Sequence, residues 1–167
     1  MKSKPLILFL LFLSIVINLK AQDEMVTYRK LFKYADSVSK TKQKIILDKG
    51  CYINLSILDN KHPTEFFNEA GNLIKDSRFN SASFIYYVGY FRYRYYNLAN
   101  PGYQPDGDGA IFNSLESVFG ELINLYMRTN IDNYIIVLEK TKEWISTYDY
   151  NFFSKNKNPA KYQEQIS

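Results

Sequence analysis

Glu116, Glu121, Glu139 and Glu143 are the carboxylates with which this chain can build an acid and base pair, the chemistry that cleaves glycosidic bonds in a polymer. Glu139 and Glu143 stand four apart, interleaved with Lys140 and Lys142, which is the pattern of a solvated helix face. A hydrolase built on Glu116 and Glu121, beside the loop that begins near residue 100, is the competing enzymatic expectation. The stretch PDGDG sets Asp106 and Asp108 at alternate positions, as a calcium loop begins. Counted from Asp106, however, position five is Ala110, position six is Ile111 where glycine is needed, and position twelve is Ser117 where glutamate is needed. The loop therefore reads as a turn in which Asp106 or Asp108 caps the following helix. His62 is the only histidine and Cys51 the only cysteine. Nothing local brings them together as a thiol and imidazole pair, and no cluster of residue types suits zinc. A lone cysteine forms no internal disulfide, and burial is its expected fate. No glycine-rich phosphate loop or nucleophile elbow is present, so neither a cofactor nor a metal is expected.

The elements that would position these groups are mainly α-helical. Tyr28, Leu31, Phe32, Ala35 and Val38 recur at helical spacing. The stretch from 44 to 58 is rich in β-branched residues, breaks at Asp48-Lys49-Gly50 and then alternates Cys51, Ile53, Leu55 and Ile57, which predicts a small β-hairpin or extended insert. Pro63-Thr64-Glu65 opens a helix that buries Phe66 or Phe67, Ala70, Leu73 and Ile74, and Ser77 to Asn80 ends it. A further helix covers 81 to 98. A loop follows, then a helix with Ile111, Leu115, Val118, Leu122 and Tyr126 on one stripe. A last helix has Ile131, Ile135, Leu138, Lys142 and Ile145 in line and Trp144 beside them. The expected architecture is about five helices in helical hairpins, forming one domain over residues 22–153, with residues 154–167 as a disordered polar tail.

Residues 84 to 96, FIYYVGYFRYRYY, hold eight aromatic rings and two arginines. On a helix, Phe84, Val88, Phe91, Tyr95 and Leu98 form a core stripe, widened by Ile85, Tyr87 and Tyr96. Tyr86, Tyr90, Tyr93 and Asn97 form a second face tipped with polar atoms. One reading covers that face with another helix, leaving tyrosine hydroxyls at the rim of the core. The other exposes Tyr86, Tyr90, Tyr93 and Arg94 as a partner-binding surface, since Tyr and Arg concentrate binding energy at interfaces. Arg92 and Arg94, two apart, cannot jointly grip one anion from a single helix face.

Phe66, Ala70, Leu73, Ser77, Phe79, Ala82, Tyr86 and Gly89 alternate large and small residues in a way that resembles one tetratricopeptide hairpin over residues 64–96. Glu69 stands where that family has leucine, and Arg94 replaces its closing proline. Gly120 and Ile123 can begin a second unit, but Asp132 occupies a small apolar position. The resemblance implies a helical hairpin of a kind commonly used to bind proteins and peptides.

At the N-terminus, Lys2 and Lys4 precede a mainly apolar run from Leu6 to Leu19 and then Lys20-Ala21-Gln22, which has the layout of a bacterial-type secretory signal over residues 1–21. Its fourteen apolar-run positions fall short of the roughly 20 that span a bilayer. No membrane span is expected once the signal is removed. Removing it takes three lysines from a net charge of +4, leaving +1. Residues 22–153 then hold 15 bases against 16 acids, so a nucleic-acid partner loses its electrostatic support. Within the domain, residues 22–61 carry eight bases and five acids, while 106–153 carry three bases and eight acids. The expectation is an exported, periplasmic or secreted, non-enzymatic protein that binds a protein partner in the cell envelope, as an inhibitor or immunity protein does. A structural role in the envelope is a further alternative.

Overall fold

The computed structural model describes residues 25–38, 47 and 49–166. The expected signal over 1–21 lies outside the described residues. The described chain is mainly helical and contains no strand. Residues 25–38 form α1, followed by α2 (Lys49–Leu58), α3 (Thr64–Lys75) and α4 (Phe79–Ala99). A π turn at Pro105–Gly109 leads into α5 (Ala110–Leu115), a second π turn at Glu116–Gly120 and α6 (Glu121–Arg128). Next come α7 (Ile131–Thr147), a 3-10 turn at Lys155–Lys157 and α8 (Pro159–Ile166). No described helix is long and apolar enough to cross a membrane.

The centre of the molecule is α4. Its buried residues lie all around its circumference, including Phe84, Tyr86, Tyr87, Val88, Gly89, Arg92, Tyr93 and Tyr95. A helix apolar on every side must be enclosed, and α2, α3, α6, α7 and α8 all pack on it. The aromatic stretch is therefore core. Its helix runs slightly beyond the expected 81 to 98, and Leu98 turns outward at its end.

Helices α3 and α4 form an antiparallel hairpin: Phe67, near the start of α3, meets Tyr86 and Tyr93 of α4 edge-on. The hairpin can close because Gly89 has no side chain. A Cβ there would lie 2.2 Å from Cβ of Phe66, far inside contact distance. The turn is a Schellman motif, with Arg78 N–H donating to the Leu73 carbonyl and Ser77 N–H to that of Ile74. Ser77 occupies the left-handed position at φ 60°.

Four expectations are corrected. The region of the expected hairpin that is described, 49–58, is the helix α2. Cys51, Leu55 and Leu58 fall at spacings of four and three and are buried together, while Ile53 and Ile57 face solvent at 62% and 52% exposure. Burial at a helical period outweighed β-branched composition. The expected tail instead holds α8, because Tyr162 gives it an anchor: its ring packs on Tyr95 and its hydroxyl donates to the Ile145 carbonyl. The stripe drawn through α5 and α6 holds only in part. Tyr126 is buried and Leu115 and Leu122 pack on the core, but Ile111 and Val118 are 46% and 66% exposed, and Phe112, Phe119, Ile123 and Met127, each one residue later, also face inward around the π turn. On α7 the buried set is Asn133, Val137, Thr141, Trp144 and Ile145, which leaves Ile131, Ile135 and Leu138 outside.

Candidate functional site

The four residues proposed from sequence as a partner surface separate in the fold. Tyr86 and Tyr93 are buried at 2% and 0% exposure, which removes them from any contact surface. The physical reason is coverage by Phe67 of α3 and Phe112 of α5, both of which meet the Tyr93 ring. Burial raises the pKa of both phenols; Glu116 adds to this at Tyr86, and Asp108 at Tyr93. Tyr90 is half-buried and Arg94 is exposed, with its guanidinium 5.6 Å from the Tyr90 ring centre. Arg94 alone remains fully available.

Neither aspartate of the PDGDG turn caps α5; its N-cap is Gly109, with no side-chain bond. Asp108 turns toward α3 and α4 instead. Its Oδ1 accepts from the Tyr93 hydroxyl at 3.1 Å and lies 3.3 Å from His62 Nε2. His62 Nδ1 accepts from the Thr64 backbone N–H at 3.4 Å and lies 3.0 Å from Thr64 Oγ1. Nε2 therefore carries the proton directed at the carboxylate. This row of Asp108, His62 and Thr64 was missed because Asp108 lies 46 residues from His62 in sequence. It has the order of a carboxylate, imidazole and hydroxyl relay. The nearby backbone N–H groups of Thr64, Glu65 and Phe66 are taken by His62 Nδ1, the His62 carbonyl and the Pro63 carbonyl. The rings of Tyr93, Tyr96 and Phe152 stand nearly perpendicular to the imidazole, each with ring centres 5.5 Å apart. The row ties the 105–109 turn to the start of α3.

The carboxylates considered for catalysis lie on the surface. Glu116, Glu121, Glu139 and Glu143 are all exposed, and Glu143 pairs with Lys140 at 2.7 Å. Cys51 is buried in the core at 1% exposure. Among the described residues, no group of three or more His, Cys, Asp or Glu is arranged to hold a metal ion.

A wide concavity lies elsewhere, between α1, α3 and the α5 to α6 segment, with a volume of about 990 Å³. Gly71, Phe119 and Leu122 line it together with Val26, Ile74 and Val118. Gly71 lets the Phe119 ring approach, since a Cβ there would lie 2.7 Å from that ring. Lys30 and Lys75 also line the groove, and none of the described residues that line it is acidic. An apolar groove with two cations attracts a segment that is apolar on one side and acidic beside it. Sequence periodicity missed this site because it put Val118 in the core.

A smaller cavity of about 550 Å³ lies between the C-terminal half of α4, the loop after it, α5 and α8. Arg94, Asn97, Tyr103 and Glu164 are among the residues lining it.

No family model matches the chain, and neither a curated protein nor a solved structure matches it.

Proposed function

We propose that the chain is an exported, non-enzymatic binding protein that recognises another protein of the cell envelope, in the manner of an inhibitor or immunity protein, through the groove between α1, α3 and α6. The observation that carries this reading is the pairing of an apolar floor with Lys30 and Lys75 in a concavity of about 990 Å³. Grooves of this kind take an amphipathic helix, anchored by apolar side chains at helical spacing and oriented by its acidic residues. The reading moves recognition away from the buried Tyr86 and Tyr93.

The test is cross-linked capture from envelope extracts by the purified protein, by Val118→Asp and by the Lys30→Glu, Lys75→Glu pair. Val118 is 66% exposed, so its substitution leaves the fold intact, which a thermal melt checks. The expected result is one dominant partner, held by the unaltered protein and lost by both variants. Equal capture by all three, or a groove shielded in a stable dimer by light scattering, overturns the assignment. Glycan hydrolysis that disappears in Glu116→Gln or Glu121→Gln would establish the enzymatic alternative.

A further inference from the structure

We propose that the outer face of α7 pairs, antiparallel, with the same face of a second copy of this chain. Ile131, Ile135, Leu138 and Lys142 follow one another at spacings of four, three and four, the repeat with which one helix seats against another. The line lies outside the fold: its three apolar residues are 57%, 50% and 36% exposed, and Lys142 is exposed at its C-terminal end. Core packing does not use it, because α7 buries Asn133, Val137, Thr141, Trp144 and Ile145 on its other side. None of the residues lining the groove assigned above lies on α7, so this contact is separate from that one.

The charges select the occupant and its direction. Asp132 stands beside the start of the line, and Glu139 one turn before Lys142. All three charged groups are exposed and none forms an ion pair with another described residue, whereas Lys140 and Glu143 of the same helix satisfy each other at 2.7 Å. A line with an acid at one end and a base at the other complements itself when turned end over end. With the midpoint between residues 136 and 137, Ile135 lies opposite Leu138 of the second copy and Ile131 against the methylene stem of its Lys142, whose ammonium reaches Asp132. Each end of the contact then holds Lys142 of one copy between its own Glu139 and Asp132 of the other. A parallel arrangement would set Lys142 on Lys142 and Asp132 on Asp132, and a partner of one charge sign throughout would meet its like at one end of the line. Antiparallel helices also place each negative helix terminus beside a positive one. One helix on one helix is a small interface, so the pairing is weak and reversible.

Sedimentation equilibrium of the purified protein over a rising series of concentrations tests the pairing. A reversible equilibrium between monomer and dimer is expected, and Ile135→Asp should weaken it about tenfold or more by setting carboxylates inside the apolar line. Lys142→Glu should weaken it as far, since each end then holds three acids. Adding Asp132→Lys to Lys142→Glu should restore it, because the base and its acid have only changed places across the contact. Ten residues separate the two positions, about 15 Å along one helix, so they do not pair within one chain and the rescue reports the antiparallel contact. All of the altered positions are exposed, and thermal melts check that each variant folds. A protein that stays monomeric at every concentration, a dimer that a folded Ile135→Asp variant leaves unaltered, or a Lys142→Glu loss that Asp132→Lys does not reverse overturns the proposal.

Discussion

Arg92 donates through Nε to Oδ1 of Asp59 across 3.1 Å, with 1% and 4% of the two side chains exposed. The pair is built into the core by further bonds. Arg92 Nη2 donates to the Tyr148 carbonyl at 2.8 Å, and Trp144 Nε1 donates to Asp59 Oδ2 at 3.1 Å. The guanidinium also lies 5.2 Å from the centre of the Tyr150 ring. Burial pushes the Asp59 carboxyl up, against the pull of Arg92 and Trp144. The network ties α4, α7 and the end of α2 to one point.

Asp59→Ala should therefore cost about 3 to 5 kcal/mol, because it leaves the Arg92 charge buried without its counterion. Urea denaturation measures this. Combining Asp59→Leu with Arg92→Met should restore much of the loss, since two apolar groups leave no charge behind. A double variant no more stable than Asp59→Ala would mean that the network contributes more than charge balance.

Gly89→Ala provides a test of the hairpin. Its new methyl would fall 2.2 Å from Phe66 Cβ, a backbone-anchored atom that cannot swing away. Overpacking of this kind costs about 1 to 3 kcal/mol, and helix propensity returns at most about 1. The expected outcome is a lower urea midpoint with an unchanged slope, in contrast to the gain that the same change makes on an exposed helix.

Much of this fold was legible where sequence signals agreed. Pro63-Thr64-Glu65 marks the start of α3, and the rings of 84 to 96 mark a helix with one core stripe, while their spacing left open whether its second face is covered. The signals failed where packing chose among near-equal patterns. In α2, Cys51, Leu55 and Leu58 fit a helix while Cys51, Ile53, Leu55 and Ile57 fit a strand, and only contact with neighbouring helices decides. On α7, Ile131, Ile135 and Leu138 form a stripe as regular as the buried one, which includes polar Asn133 and Thr141. The Asp108 and His62 pairing joins residues 46 apart in sequence and leaves no local trace. Arg94 alone carried over from the expected surface, since helical spacing identifies a face without saying what covers it.

Ser77→Gly should stabilise the protein by about 1 kcal/mol. Ser77 stands at φ 60°, where an L side chain crowds the following carbonyl and glycine does not. Part of the gain is returned because glycine also enlarges the freedom of the unfolded chain. Ser77→Ala retains the crowding and should give none. Paired urea curves for the two variants separate this effect from loss of the serine hydroxyl.

The buried tyrosines set an alkaline limit on the fold. Burial raises the pKa of Tyr86, Tyr87, Tyr93, Tyr126 and Tyr150 above the ordinary value of 10.0. Each phenol thus keeps its proton in the folded chain at a pH where the unfolded chain releases it. The stabilisation is fully present below pH 10 and is lost as pH rises beyond it, because the unfolded state binds fewer protons there. The buried set should consequently ionise only together with loss of helical circular dichroism, which the absorbance of tyrosinate near 295 nm, followed beside it, measures. If all the tyrosines titrated smoothly around pH 10 while the helices persisted, the enclosed position of α4 would be wrong.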